Sequence, residues 1–240
     1  MPLPTPPGAD APWSKRDLVV AFVWGIFGVI ALLALMLVTL RLWLQATGSA
    51  VPQGALGLLV LVAELALLPP VWWLGKRKYR LPWSSLGFRG CDPARAAGLG
   101  CLTFLAAVAS SFVWSLFLSM FGLQAQPDVL PLFGGGLLGL LAALLVGGVV
   151  APVAEEAFFR GYLFAGLRRH VGLSKAVLVS AALFALVHVL PTSWPPIFVL
   201  GVLFAMLYHV TGSVWPAVII HGLVNSLSFL ASYLLQFVGG

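Results

Sequence analysis

The sequence predicts an all-α fold: a polytopic transmembrane helix bundle of about seven spans, or eight if the long fourth one divides. Three observations predict it. The 240 residues are 61% hydrophobic and 8% charged, whereas a soluble domain carries about 25% charged residues. The apolar residues fall in runs of the roughly 20 residues that cross a bilayer. The basic residues cluster in the connections between those runs, the pattern that sets membrane orientation. The net charge of +6 is therefore an orientation signal, not the footprint of a nucleic-acid binder. Within lipid the backbone must satisfy itself, so every span is read as a helix.

Residues 1–16 read as a disordered cytoplasmic tail, because 1–12 are rich in Pro and Ala. Residues 17–240 read as one integral-membrane domain. Its first span, about 18–44, is too long for a cleavable signal. The second, about 54–74, carries Glu64 near its middle. Next comes the most basic connection, Lys76, Arg77, Lys78 and Arg80 followed by Arg89 and Arg95. Its Trp83, Leu86 and Phe88 suggest an interfacial segment lying on the membrane surface. The third span is about 96–121, and the connection 124–133 after it has no Lys or Arg. The fourth starts near 137 and runs to Arg168 and Arg169. The fifth is about 175–189, and Pro191, Pro195 and Pro196 predict a stiff turn after it. The sixth and seventh are about 197–210 and 214–237.

With seven spans, the basic residues before span 1, between spans 2 and 3 and between spans 4 and 5 share one side. The positive-inside rule then makes the N-terminus cytoplasmic and the C-terminus external. Cys91 and Cys101 show no metal spacing and predict no disulfide.

The fourth span contains the stretch Pro152-Val-Ala-Glu155-Glu156-Ala-Phe-Phe-Arg160. A charge at the centre of a membrane helix costs about 2.5–3.5 kcal/mol on insertion scales. Three in six residues must pair, face a wet cavity or do chemistry. Glu156 and Arg160 are i and i+4 in the favourable order, which predicts a structural ion pair. Glu155 is left over and projects about 100° away. Pro152 removes one helix hydrogen bond, and with Gly147 and Gly148 it predicts a kink.

Late spans carry further polar residues. Glu155 and His188 each stand roughly 20 Å from the turn near 170–173, at 1.5 Å per residue. His221 and Asn225 share one face of span 7 at a similar depth. The catalytic core is thus read as about 134–237. His209 falls at the cytoplasmic end of span 6 and reads as a packing or interfacial histidine, and His170 as solvated. Glu64 could touch the site or be a hydrogen-bonded carboxyl between helices.

This set suits amide hydrolysis. Glu155 with His188 could hold and deprotonate a water, and His221 with Asn225 could donate hydrogen bonds to the tetrahedral oxyanion. The alternative is a metal site in which Glu155, His188 and His221 hold zinc with water as the fourth ligand. No Ser or Cys is placed as a nucleophile in this layer.

Three motifs, Glu155-Glu156-Ala-Phe-Phe-Arg160, Phe184-Ala-Leu-Val-His188 and His221-Gly-Leu-Val-Asn225, occur in that order. On them the chain resembles the CPBP family, the CAAX-protease and bacteriocin-processing (abortive-infection) intramembrane proteases. The resemblance implies endopeptidase activity on a membrane-associated peptide or protein, in a bacterial inner membrane. It assigns Glu155 and His188 to water activation and His221 and Asn225 to the oxyanion. It leaves metal dependence open and does not imply a prenylated substrate. Other readings are a non-catalytic scaffold of the same fold and a transporter. A transporter would want polar groups along a path rather than in one layer.

Overall fold

A computed structural model describes residues 11–124, 128–188 and 190–237. Among the described residues there is no strand. Six helices are long and apolar enough to cross a membrane: α1 (Lys15–Thr47), α2 (Ala55–Arg77), α3 (Pro93–Ser119), α4 (Gly136–Val171), α6 (Trp194–Thr211) and α7 (Trp215–Leu235). Between α4 and α6 lies a shorter apolar helix, α5 (Leu173–Leu186). These are the seven expected segments, and the long fourth one does not divide.

Local chemistry sets the ends. Ser14 caps α1 reciprocally: its hydroxyl accepts from the Asp17 amide at 3.2 Å, and the Asp17 carboxylate accepts from the Ser14 amide at 3.1 Å. Asp92 caps α3 by accepting from the amides of Ala94 and Arg95, with Pro93 at the first helical position. Pro195 and Pro196 do not form the expected turn. They sit in the first turn of α6, where a missing N–H costs nothing. The turn before them is the 3₁₀ segment Pro191–Ser193.

Pro152 does not break α4. The backbone is taken up into two wide π turns, Val146–Val150 and Ala157–Phe164, on either side of the carboxylates. Neighbouring turns re-satisfy the groups that the proline frees.

α4 is the central helix. It packs against α1, α2, α5, α6 and α7, whereas α3 rests on α6 and α7. The backbones of α4 and α7 approach very closely: a Cβ on Gly222 would lie 2.4 Å from the Gly148 carbonyl oxygen. Membrane helices use small residues in this way because lipid is as apolar as leucine and only close packing favours association.

The basic connections meet at one end of the bundle. Lys78 pairs with Asp17 at 2.5 Å, and Tyr79 donates to the same carboxylate. The hydrogen bond that Lys78 donates to Asp17 holds its ammonium above the usual lysine range. The Trp13 indole donates to the Gly75 carbonyl at 2.8 Å, and Arg169 donates to the Ala11 carbonyl. Residues 1–10 of the predicted disordered tail lie outside the described residues. Ala11 and Trp13, expected to belong to that tail, are buried instead, and Trp13 packs at a tilt against Tyr162 with ring centroids 4.8 Å apart. His170 is not merely solvated, since its Nε2 lies 2.9 Å from the Trp13 carbonyl.

The interfacial segment is a 3₁₀ turn, Trp83–Leu86. It does more than lie on the surface. Leu86 is fully buried, and a Cβ on Gly161 of α4 would come within 2.5 Å of the Leu86 carbonyl oxygen. Cys91 and Cys101 are free thiols.

α5 has 14 residues, about 21 Å of helix, short of the roughly 30 Å hydrocarbon core. The chain therefore turns back before this helix reaches a full span. At that level the Trp114 indole of α3 donates to the Thr192 carbonyl at 2.6 Å.

Candidate active site

Adjacent positions on α4 send the two carboxylates to different surroundings. Glu156 is completely buried. Its Oε1 accepts from Nη1 of Arg160 at 2.8 Å and lies 3.0 Å from Nδ1 of His221. Arg160, also buried, donates a second hydrogen bond to the Gly201 carbonyl of α6 at 3.3 Å. Its guanidinium lies 4.2 Å from the ring centre of Phe184 on α5 and 5.2 Å from that of Phe204 on α6. A buried ion pair is tolerable only when further hydrogen bonds and favourable contacts offset its desolvation. Here two carbonyl or imidazole partners and two aromatic faces do so. The pair therefore ties α4, α5, α6 and α7 together at one point.

Glu155 points elsewhere. Its Oε2 is buried without a hydrogen-bond partner in the protein and stands 3.9 Å from Nε2 of His221. His221 thus lies between the two carboxylates, Nδ1 on Glu156 and Nε2 facing Glu155. The Glu64 carboxyl of α2 lies against that of Glu155, and one of its oxygens is likewise buried and unpartnered. Of the two readings of Glu64, contact with the site is the one the geometry supports.

His188 is not inside a helix as expected. α5 ends at Leu186, because the following turn and its proline cannot continue it. The histidine sits just beyond, with Nδ1 2.8 Å from the Phe184 carbonyl of the last helical turn. Its own carbonyl accepts from the Trp194 indole at 2.7 Å. The Phe184 ring centre is 5.1 Å from that of His188 and 6.0 Å from that of His221. One aromatic ring therefore carries both histidines.

Asn225, one turn beyond His221, donates from Nδ2 to the Gly147 carbonyl of α4 at 2.8 Å. An amide nitrogen has two hydrogens, so one is used in this contact. His209 stays apart from the site; its Nδ1 is buried without a partner.

Among the described residues no three His, Cys, Asp or Glu side chains are grouped to hold a metal ion. The expected zinc set of Glu155, His188 and His221 is not among such groups, while each of its histidines holds Nδ1 on an acceptor, Glu156 or the Phe184 carbonyl, an arrangement that leaves Nε2 open to a ligand.

Three contributors went unread in the sequence. Phe204 and the Gly201 carbonyl hold Arg160, and the Gly147 carbonyl holds Asn225. Backbone acceptors leave no trace in residue identity. Phe204 is one of many apolar residues in α6, with nothing to mark it out.

Residues 137–227 match a family model described as Rce1-like, type II CAAX prenyl endopeptidase Rce1-like. The match covers less than half of the chain but includes all three motifs. It is the CPBP/CAAX protease family that those motifs resemble. No curated protein and no solved structure matches the chain.

Proposed function

We propose, taking the Rce1-like match over residues 137–227 as the premise, that the protein is an intramembrane endopeptidase. It hydrolyses a peptide bond of a membrane-associated peptide or protein with water activated by Glu155. The observation that carries the reading is the division of labour between neighbouring carboxylates. Glu156 commits one oxygen to both Arg160 and His221; Oε2 of each glutamate is buried without a partner, but that of Glu155 is the one that faces an imidazole nitrogen, His221 Nε2, 3.9 Å away.

Hydrogen-bond logic assigns the histidines. An ion-paired carboxylate only accepts, so His221 carries its proton on Nδ1 and a lone pair on Nε2 in the neutral form. The same holds for His188, whose Nδ1 meets a carbonyl. In this tautomer Nε2 accepts, which favours water activation over the oxyanion as the role of His221. A gap of 3.9 Å is too long for a direct hydrogen bond but lets one water bond to both His221 and Glu155. The resemblance gives His188 the same water.

In this reaction the water oxygen adds to the scissile carbonyl carbon as Glu155 takes one proton. The tetrahedral oxyanion is met by the second N–H of Asn225. When the C–N bond breaks, Glu155 returns the proton to the departing nitrogen, and the two products carry the elements of water.

The test is proteomics of peptides lost or gained in a deletion strain complemented by each variant. Glu155→Gln and His188→Ala should abolish cleavage while the protein remains folded in the membrane. Asn225→Ala should keep a residual rate on the order of 10²–10³-fold lower, the usual effect of removing one oxyanion donor. Full cleavage and complementation by Glu155→Gln would sink the mechanism and favour a scaffold.

The basic end of the bundle is placed in the cytoplasm by the positive-inside rule. With Cys91 and Cys101 replaced, a cysteine at position 78 should label from the cytoplasm and one at position 128 from the other side. Labelling of both from one side contradicts this orientation.

A further inference from the structure

α2 presents a stripe of Leu65, Leu68 and Trp72 at helical spacing. Facing it are Val153 and Ala157 of α4, and Trp83 of the interfacial segment closes one end. Together they wall a groove of about 820 Å³ whose lining residues are all apolar. That is within the roughly 300–1,000 Å³ of small-molecule sites. None of its lining residues belongs to the proposed catalytic set.

One end of the groove is cationic. Lys76 follows Trp72 by four residues, and its ammonium lies 5.5 Å from the ring centre of Trp83. The Arg77 guanidinium lies 5.9 Å from the ring centre of Trp72. Both rings line the groove. Among the described residues no carboxylate pairs with Lys76 or Arg77. Lys78, in the same basic run, is by contrast neutralised by Asp17. Two positive charges thus stand on the aromatic walls at the end of an otherwise uncharged trough, at the bundle end where the basic connections gather.

We propose that this groove is a binding site for one anionic phospholipid of the surrounding leaflet. The phosphate headgroup is held by Lys76 and Arg77, and an acyl chain lies between α2 and α4. Charge complementarity selects this occupant: a neutral chain would leave both cations without an anion. Basic pockets between transmembrane helices recognise anionic headgroups by this combination of charge and apolar wall.

The experiment is native mass spectrometry of the full chain, released from detergent with phosphatidylglycerol or phosphatidylcholine of identical acyl chains. The expected result is preferential retention of one phosphatidylglycerol, by a factor on the order of ten. Lys76→Gln with Arg77→Gln should erase the preference, while Lys15→Gln with Arg16→Gln, at the same end but off the groove, should keep it. Trp83→Ala should lower retention of both lipids. All of these side chains except Lys76 are exposed, and a thermal melt confirms that each variant is folded.

Equal retention of the two lipids overturns the proposal. So does a preference that survives loss of Lys76 and Arg77, or retention unchanged in Trp83→Ala. Displacement of the lipid by soluble glycerophosphoglycerol at equal concentration would show that the headgroup alone is bound, which overturns the role of the groove. Displacement by a neutral lipid-modified peptide, with no preference for phosphatidylglycerol, would make the groove a substrate channel and also overturns it. None of these readouts depends on peptide cleavage, so the result is independent of the proposed protease activity.

Discussion

α3 and α4 are both apolar enough to cross a bilayer, yet they are different kinds of helix. Only 17% of the best apolar window of α3 is buried, against 50% of that of α4. Leu102, Leu105, Phe112 and Val113 of α3 stand open to lipid. α4 buries Phe158, Phe159, Tyr162 and Phe164 together with Glu156 and Arg160. Moving a leucine from lipid to a helix interface changes its surroundings little, so apolar character cannot by itself drive α4 to the centre. What holds α4 there is polar and steric: the Glu156–Arg160 pair reaching three other helices, and glycines that admit α7 and the interfacial segment.

The comparison can be broken at its stronger end first. Glu156→Ala strands Arg160 among aromatic rings and frees His221. Breaking a buried pair costs about 3–5 kcal/mol. Detergent-solubilised protein should therefore melt at a much lower temperature, with reduced expression. Wild-type yield and melting temperature would mean that the pair does not organise the bundle. The weaker end is sharpened by Phe112→Ala on α3. Although it removes a whole ring, stability should move by no more than about 0.5 kcal/mol, as at exposed sites generally. A loss as large as that of Glu156→Ala would mean that α3 is covered by another protein surface rather than by lipid.

How much of this could be read beforehand follows from the same physics. Helix number and order were legible because lipid permits few alternatives to apolar helices. The two short-range spacings, Glu156 to Arg160 and His221 to Asn225, were legible as helix geometry. The depth of Glu155, His188 and His221 was estimated from rise per residue, although His188 proved to lie past the end of its helix. The estimate tolerated that error because a turn at depth advances only slightly beyond the helix end. Less legible was everything decided between elements. The sequence contains Gly147 and Asn225 but not the fact that a π turn offers that carbonyl to that amide. It contains Trp13 in a proline-rich leader but not the indole's partner at Gly75. It contains His221 but not the contact of its Nδ1 with Glu156, on which the proposed role of that histidine turns.

α5 has a consequence for the solvent around the protein. Leu178, Val179 and Leu186 on its outer face are exposed, so lipid tails must cover a helix about 9 Å shorter than their usual span. By the usual response to a short span, the leaflet would thin beside the hairpin. Thinning brings the headgroup layer, with its hydration, close to His188 at the helix end. The proposed hydrolysis needs a supply of water, and a deformed bilayer would deliver it without a permanent pore. The same mismatch favours residence in membranes of short-chain lipids and makes acyl-chain length a physical control on how readily the reaction centre is wetted.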